Sequence, residues 1–240
     1  MQPILFFAAA FFSELIGTSI GFGSSTVFLP LALLFLDFPS ALAITAIFHI
    51  SGNIGRLTFF RKNLDWKILK TFGVSSVIAT IAGALLVSYA PQNFLKFFLG
   101  IFLIVFVLFN WKNPKFKIKQ TAANSAIGGA VSGFVAGLIG TGGAIRAAVL
   151  NAFQLKKEVY ISTAATIALA VDLTRIPIYF ASGFLSEKFF ADIFILIFVA
   201  LAGSFAGRKI VEKVPQEKFR ILVLIALALF GVKFILDFFG

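Results

Sequence analysis

Gly21-Phe22-Gly23-Ser24-Ser25-Thr26 interrupts an apolar stretch over roughly residues 3–36, and Gly140-Thr141-Gly142-Gly143 interrupts a second over roughly 121–154. A bilayer core is about 30 Å thick and takes about 20 helical residues to cross. Each interrupted stretch is too long for one straight span and short for two spans with a turn between them. The glycines split each into an arm of about 18 residues and one of about 11. Eleven residues at the helical rise reach only about 16 Å, half the core. Both stretches therefore read as re-entrant hairpins or deeply broken helices. Irregular backbone at that depth is tolerated only where it is buried in protein or lines a cavity.

The remaining apolar segments fit single spans, over roughly 40–60, 67–89 and 92–111, then 158–181, 188–208 and 217–239. Of the 240 residues 60% are hydrophobic and 13% charged, and the mean hydropathy is +1.01. Soluble domains carry about 25% charged residues, so an all-α integral membrane protein is expected. Phe contributes 33 residues, which suits lipid-facing surfaces. With no Cys there is no disulfide, thiolate metal site or Cys nucleophile, and the single His49 excludes a multi-histidine metal site within one chain. Neither cofactor nor metal is expected, and no nucleotide-binding motif is present. The net charge of +11 sits mostly between apolar segments, so it reads as a topology signal and not as a nucleic-acid surface. Met1-Gln2-Pro3-Ile4 lacks a basic n-region and a cleavage site follows nowhere nearby, so a cleaved signal peptide is not expected.

The four segments recur as four. A shift of 119 places Gly21 on Gly140, Gly23 on Gly142, Asn53 on Asp172 and Arg56 on Arg175. A shift of 120 places Ala82-Gly83 on Ala202-Gly203, and Pro91-Gln92 meets Pro215-Gln216 after a four-residue insertion. The expected organisation is a first repeat over 1–111, a basic cytoplasmic linker over 112–120 and a second repeat over 121–240. Each repeat holds one glycine-broken helix and three transmembrane helices.

Charge sets the relative orientation of the repeats. If all eight segments crossed fully, the flanking Lys and Arg would divide 8 to 10 between the two faces. If the two broken segments return to the face they entered, the division is 15 to three, the three being Lys96, Lys188 and Lys233. The positive-inside rule selects the second arrangement. The repeats are then inverted, an arrangement known among secondary transporters. A multi-pass protein of the cytoplasmic membrane is expected, with both termini outside. Trp66 and Trp111 flank spans as interface anchors.

Each short arm starts after a glycine break, where the first amides lack intrahelical partners and the helix dipole is positive. Such ends bind anions. The expected substrate-binding residues are Gly23, Ser24, Ser25 and Thr26 in the first repeat and Thr141, Gly142 and Gly143 in the second. Glycine allows the close backbone approach. Small residues also serve helix packing, but two breaks in equivalent, too-short segments favour a site. Arg56 and Arg175 are intramembrane charges, which mark function by default, and with Asn53 they complete the expected substrate-binding set, the arginines offering charge to the anion. Asp172 and Arg175 are i, i+3 neighbours able to pair on one helix face. Asp172 and Glu14 are the candidate proton-coupling carboxyls. Arg146, in the first turn of the second short arm, has Val27 as its counterpart. It either faces the anion or contacts another helix. His49 reads as a packing histidine ahead of a gate.

Gly21-Phe22-Gly23-Ser24 with Leu29-Pro30 and Ala41–Thr45, and Gly137-Leu138-Ile139-Gly140-Thr141-Gly142-Gly143 with Ser162-Thr163-Ala164, resemble the sulfite exporter TauE/SafE family. The resemblance covers nearly the whole chain. It departs in the second half, where Val149 stands opposite Pro30 and Arg146 enters the short arm. The resemblance implies transport of sulfite, a sulfonate or a related sulfur-containing or organic anion.

The expected function is secondary transport of a small anion by alternating access, coupled to protons through Asp172 or Glu14. The alternative is a passive anion channel with the same site. An intramembrane enzyme is disfavoured, because a Ser24 nucleophile would find only His49 or a carboxylate as base. A membrane scaffold would not need two matched breaks. The expected partners are the lipid bilayer and the anionic substrate, with a homodimer left open and no nucleic acid.

Overall fold

The computed structural model describes residues 3–20, 23–60, 64–113, 116–210 and 216–240. Gly21 and Phe22 of the first break, the flanking Arg61, Lys62, Lys115 and Lys213, and Pro215 lie outside the described residues. All regular structure among the described residues is helical.

The first half contains α1 (Pro3–Ile20), α2 (Ser24–Ala32) and α3 (Phe38–Phe60). It continues with α4 (Trp66–Ile68), which runs through a π turn (Leu69–Gly73) into α5 (Val74–Val87), and ends with α6 (Gln92–Lys112). The second half contains α7 (Ala122–Ile139), α8 (Gly142–Ala152) and α9 (Lys157–Ala181). A 3-10 turn (Glu187–Phe189) then leads to α10 (Phe190–Ile210), followed by α11 (Gln216–Phe239).

Six helices among the described residues are long and apolar enough to cross a membrane. They are Trp66–Val87, Gln92–Lys112, Ala122–Ile139, Lys157–Ala181, Glu187–Lys209 and Arg220–Phe239. α3 has the length, 23 residues, but stands outside this group. Its second half carries His49, Ser51, Asn53 and Arg56, whose polarity offsets the apolar residues around them. The outward faces carry Ile78, Phe98, Val105, Phe194, Leu222 and Leu229. Apolar side chains spread over every long helix are not a surface that water tolerates. With the polar residues turned inward, this is a multi-pass integral membrane protein.

The breaks are glycine-dependent. Gly23 has φ 83° and Gly140 has φ 73°, the left-handed region that costs a side-chain-bearing residue roughly 1–2 kcal/mol. At Gly140 the amide donates back to the Ala136 carbonyl at 3.1 Å, closing α7 in the usual glycine-terminated way. Beyond each break the chain folds back along the arm it has just left. Phe6 of α1 packs against Phe28 and Phe35 with ring centroids 5.6 and 5.7 Å apart. Ser132 of α7 donates to the Gly142 carbonyl at 2.8 Å, and Gly128 lies under Val149. Both pairs, α1–α2 and α7–α8, are helical hairpins.

Contacts between the halves come in matched sets. α10 packs on α1, where Gly203 and Gly207 lie against Phe11, Glu14 and Leu15. α5 packs on α7 in the equivalent way, through Gly83 on one side and Gly129, Gly133 and Gly137 on the other. α3 packs on α9, α6 on α11 with Gly100 against Gly231, and α2 on α8. Small residues let these backbones approach closely in a medium where apolar burial gives little drive for association. Hydroxyls add to the α5–α7 seam: Ser76 donates to the Gly129 carbonyl at 2.8 Å and Thr80 to the Gly133 carbonyl at 3.0 Å.

Candidate functional site

The two short helices begin at the same place. A Cβ on Gly23 would lie 3.2 Å from the Gly143 Cα, so the start of α2 touches the start of α8. Ser24, Ser25 and Thr26, and Thr141, Gly142 and Gly143, are all buried there. The amides of Thr26 and Ala144 turn back onto the Gly23 and Thr141 carbonyls, each at 3.2 Å. Those of Ser24, Ser25, Gly142 and Gly143 have no partner among the described residues. Four free amides and two positive helix ends converge on one spot.

On the first-half side, Arg56 forms an ion pair with Glu14. Its Nη1 donates to Asn53 Oδ1 at 2.8 Å, its Nε to Thr18 Oγ1 at 3.2 Å and its Nη2 to Ser24 Oγ at 3.4 Å. Thr18 in turn donates to Glu14 at 3.1 Å. The cluster assembles because Glu14 and Thr18 are four apart on α1, Asn53 and Arg56 are three apart on α3, and the two faces meet. Glycine makes room for it: a Cβ on Gly203 would lie 2.9 Å from Glu14 Cβ, and Gly52 lies against the Glu14 carboxyl.

On the second-half side, Arg175 binds Asp172 with Nε at 2.9 Å and Nη2 at 2.7 Å, both on Oδ1. Its Nη1 donates to the Ala136 carbonyl at 2.9 Å, in the last turn of α7 before the break. Tyr179 donates to the neighbouring Gly137 carbonyl. The other Asp172 oxygen is 2.8 Å from His49 Nδ1. His49 belongs to the first half, so this contact ties the halves together. The expected packing histidine is thus the partner of the second-half carboxylate.

The two clusters are joined through the breaks. The site that a Cβ on Gly140 would occupy is 3.6 Å from Arg175 Nη1. The chain then runs through Thr141 and Gly143 to Gly23, and on to Ser24 beside Arg56. Glu14, Ser24, Asn53 and Arg56 are brought together, as are Asp172 and Arg175. Ser25 and Thr26 are buried in the same turn as Ser24. Thr18 escaped the sequence reading; its spacing of four from Glu14 was the available signal.

Arg56 and Arg175 differ from expectation in one respect. Each was expected to offer its charge to a ligand, yet each already faces a carboxylate. Arg146 does not. It is 5% exposed and makes no hydrogen bond or ion pair among the described residues, while Asp172, Tyr160, Arg56 and Arg175 all act on it electrostatically. Six buried side-chain atoms among the described residues have no hydrogen-bond partner: Ser13 Oγ, Glu14 Oε2, Thr45 Oγ1, His49 Nε2, Asn53 Nδ2 and Thr141 Oγ1. Buried polar atoms in native proteins are nearly always paired. The donors among them that lie at or next to the site residues, Asn53 Nδ2 and Thr141 Oγ1, together with the free helix ends, are chemically suited to an acceptor-rich ligand. Among the described residues no group of three or more His, Asp or Glu gathers as a metal would require. The apolar groove lined by Ile16, Val27, Leu31, Val223 and Phe230 holds no such groups.

No curated protein and no solved structure matches the chain. The family model described as Sulfite exporter TauE/SafE matches residues 6–234. That range takes in both glycine breaks, both buried arginine–carboxylate pairs, five of the six apolar helices whole and most of the sixth. A multi-pass protein whose buried polar groups collect at two glycine breaks, matched over almost its full length, belongs to the sulfite exporter TauE/SafE family of membrane transporters.

Proposed function

We propose that the chain is a secondary transporter for a small oxyanion: sulfite, a sulfonate or a related sulfur-containing or organic anion. The observation that carries this reading is the meeting of Gly23 and Gly143, where two short helices present free amides to one buried spot. An anion held there replaces its water with fixed dipoles. Asn53 Nδ2 and Thr141 Oγ1, both without partners, supply further donors. Ser24 is turned toward Arg56 while His49 is held by Asp172, an arrangement that favours binding over a serine-based reaction.

The hairpins are read as re-entrant and the halves as inverted repeats, over 1–111 and 121–240. The exchange of roles between α1–α10 and α7–α5 supports that reading, as does the 15-to-three division of basic residues. In this reading the chain sits in the cytoplasmic membrane with both termini outside. Alternating access follows from one half rocking against the other around the fixed site.

The test is counterflow. Purified protein in proteoliposomes loaded with unlabelled sulfite is diluted into trace labelled sulfite, and the same is done with methanesulfonate. A carrier accumulates label transiently against its gradient. Electrical conductance without counterflow would identify a passive channel instead, and no flux of any sulfur oxyanion or small carboxylate would refute anion transport.

A further inference from the structure

The charges at the site do not balance, and the imbalance states what can bind. Glu14 compensates Arg56, and Asp172 compensates Arg175. Arg146 is left as a buried cation with no hydrogen-bond or ion-pair partner among the described residues, on α8 three residues after Gly143, which meets Gly23. An isolated buried charge is costly inside a membrane protein and is relieved by an ion of opposite sign. The break and start of the same helix, three to five residues before Arg146, hold the hydroxyl of Thr141, 0% exposed and without a partner among the described residues, and the free amides of Gly142 and Gly143. One negative charge brings the buried set to neutrality. A second leaves it overcharged.

His49 is the remaining variable. It faces Asp172 on α9, and Arg56 on its own helix and Arg146 on α8 also act on it electrostatically. Its Nδ1 is engaged with Asp172, so a proton taken up by the ring sits on Nε2, which is buried and without partner. That proton would add one positive charge and one N–H donor to the same buried set. The two carboxyls expected to carry protons, Glu14 and Asp172, are both engaged in ion pairs with guanidinium groups.

We propose that Arg146 and His49 make the site charge-selective. With His49 neutral it takes a singly charged oxyanion, and it takes a doubly charged one only together with a proton on His49 Nε2. The coupled proton thereby belongs to His49 and not to Asp172 or Glu14. This inference rests on the half-helix anion site of the proposed transporter, but it is tested by binding, without flux.

The experiment is isothermal titration calorimetry on the full-length protein in neutral detergent at about pH 8 and about pH 5.5, bracketing the range where an imidazole ordinarily titrates. The probes are methanesulfonate, singly charged at both values, and sulfate, doubly charged at both. Methanesulfonate is expected to bind more tightly than sulfate at the higher pH. The ratio of sulfate to methanesulfonate affinity is expected to rise at least about tenfold at the lower pH, within the usual range of a coupling between two sites. R146Q is expected to lose binding of both anions, and R146K to recover methanesulfonate. In H49Q the affinity ratio is expected to lose its pH dependence. An affinity ratio that does not change with pH in the unmodified protein would overturn the proposal. So would wild-type binding by R146Q, or failure of the folded protein to bind either anion. Binding as described without counterflow would refute the transport reading alone.

Discussion

Replacing Asp172 by Asn tests a buried charge that is engaged through both of its oxygens. Asp172 and Arg175 side chains are 2% and 1% exposed. The carboxylate serves Arg175 through one oxygen and His49 through the other. The amide keeps the shape and one acceptor but removes the negative charge, leaving Arg175 and Arg146 as two buried cations close to one another. Breaking a buried pair by removing one partner costs about 3–5 kcal/mol, and the retained acceptor places D172N near the lower end, about 3 kcal/mol. At about 2–4 °C per kcal/mol for a chain of 240 residues, the melting temperature falls by roughly 6–12 °C. The assay is a far-UV circular dichroism melt of the protein in one detergent at fixed pH and salt. The double variant D172N/R175Q removes both charges and is expected to melt above D172N, since groups in contact are non-additive. D237N serves as a control: its partner Lys233 is 49% exposed, and an exposed pair is worth about 0–1 kcal/mol, so its melt moves by no more than about 4 °C. A D172N melt within experimental error of wild type, or a double variant melting below the single one, would refute the reasoning.

Two further outcomes follow from the glycines. G133A drives a methyl into the Ser76 backbone of the α5–α7 seam, whereas G183A, at φ 74°, meets nothing within 4 Å. Overpacking costs about 1–3 kcal/mol and backbone that cannot move lies at the top of that range. G133A is therefore expected to melt below G183A, whose cost is the left-handed strain alone, roughly 1–2 kcal/mol, and equal melts would show that the seam yields. G23A adds a methyl at φ 83° and 3.2 Å from the Gly143 Cα, so it separates the two helix starts. Counterflow is expected to drop at least about tenfold, a loss of about 1.4 kcal/mol in binding, while helicity is retained. Undiminished counterflow would place the substrate elsewhere.

What the amino-acid order determined by itself was local or periodic. Hydropathy marked the helices because each span must carry enough apolar residues to face lipid, whatever its neighbours are. The breaks at Gly23 and Gly140 were legible because an arm of 9 or 11 residues is too short to cross. The Asp172–Arg175 pair was legible because three residues apart on a helix means the same face. The family could be recognised from the same glycine motifs. Fold-back of the short arms and the fate of each charge were decided only in three dimensions. Glu14 and Arg56 are 42 residues apart, and His49 and Asp172 are 123 apart. No spacing rule spans such distances, so the pairing that neutralises two arginines and leaves Arg146 without an ion pair among the described residues is a property of how α3, α8 and α9 pack. Burial sets that outcome physically: a guanidinium in a low-dielectric core is governed by whichever carboxylate the packing brings beside it, and the sequence records only that both are present.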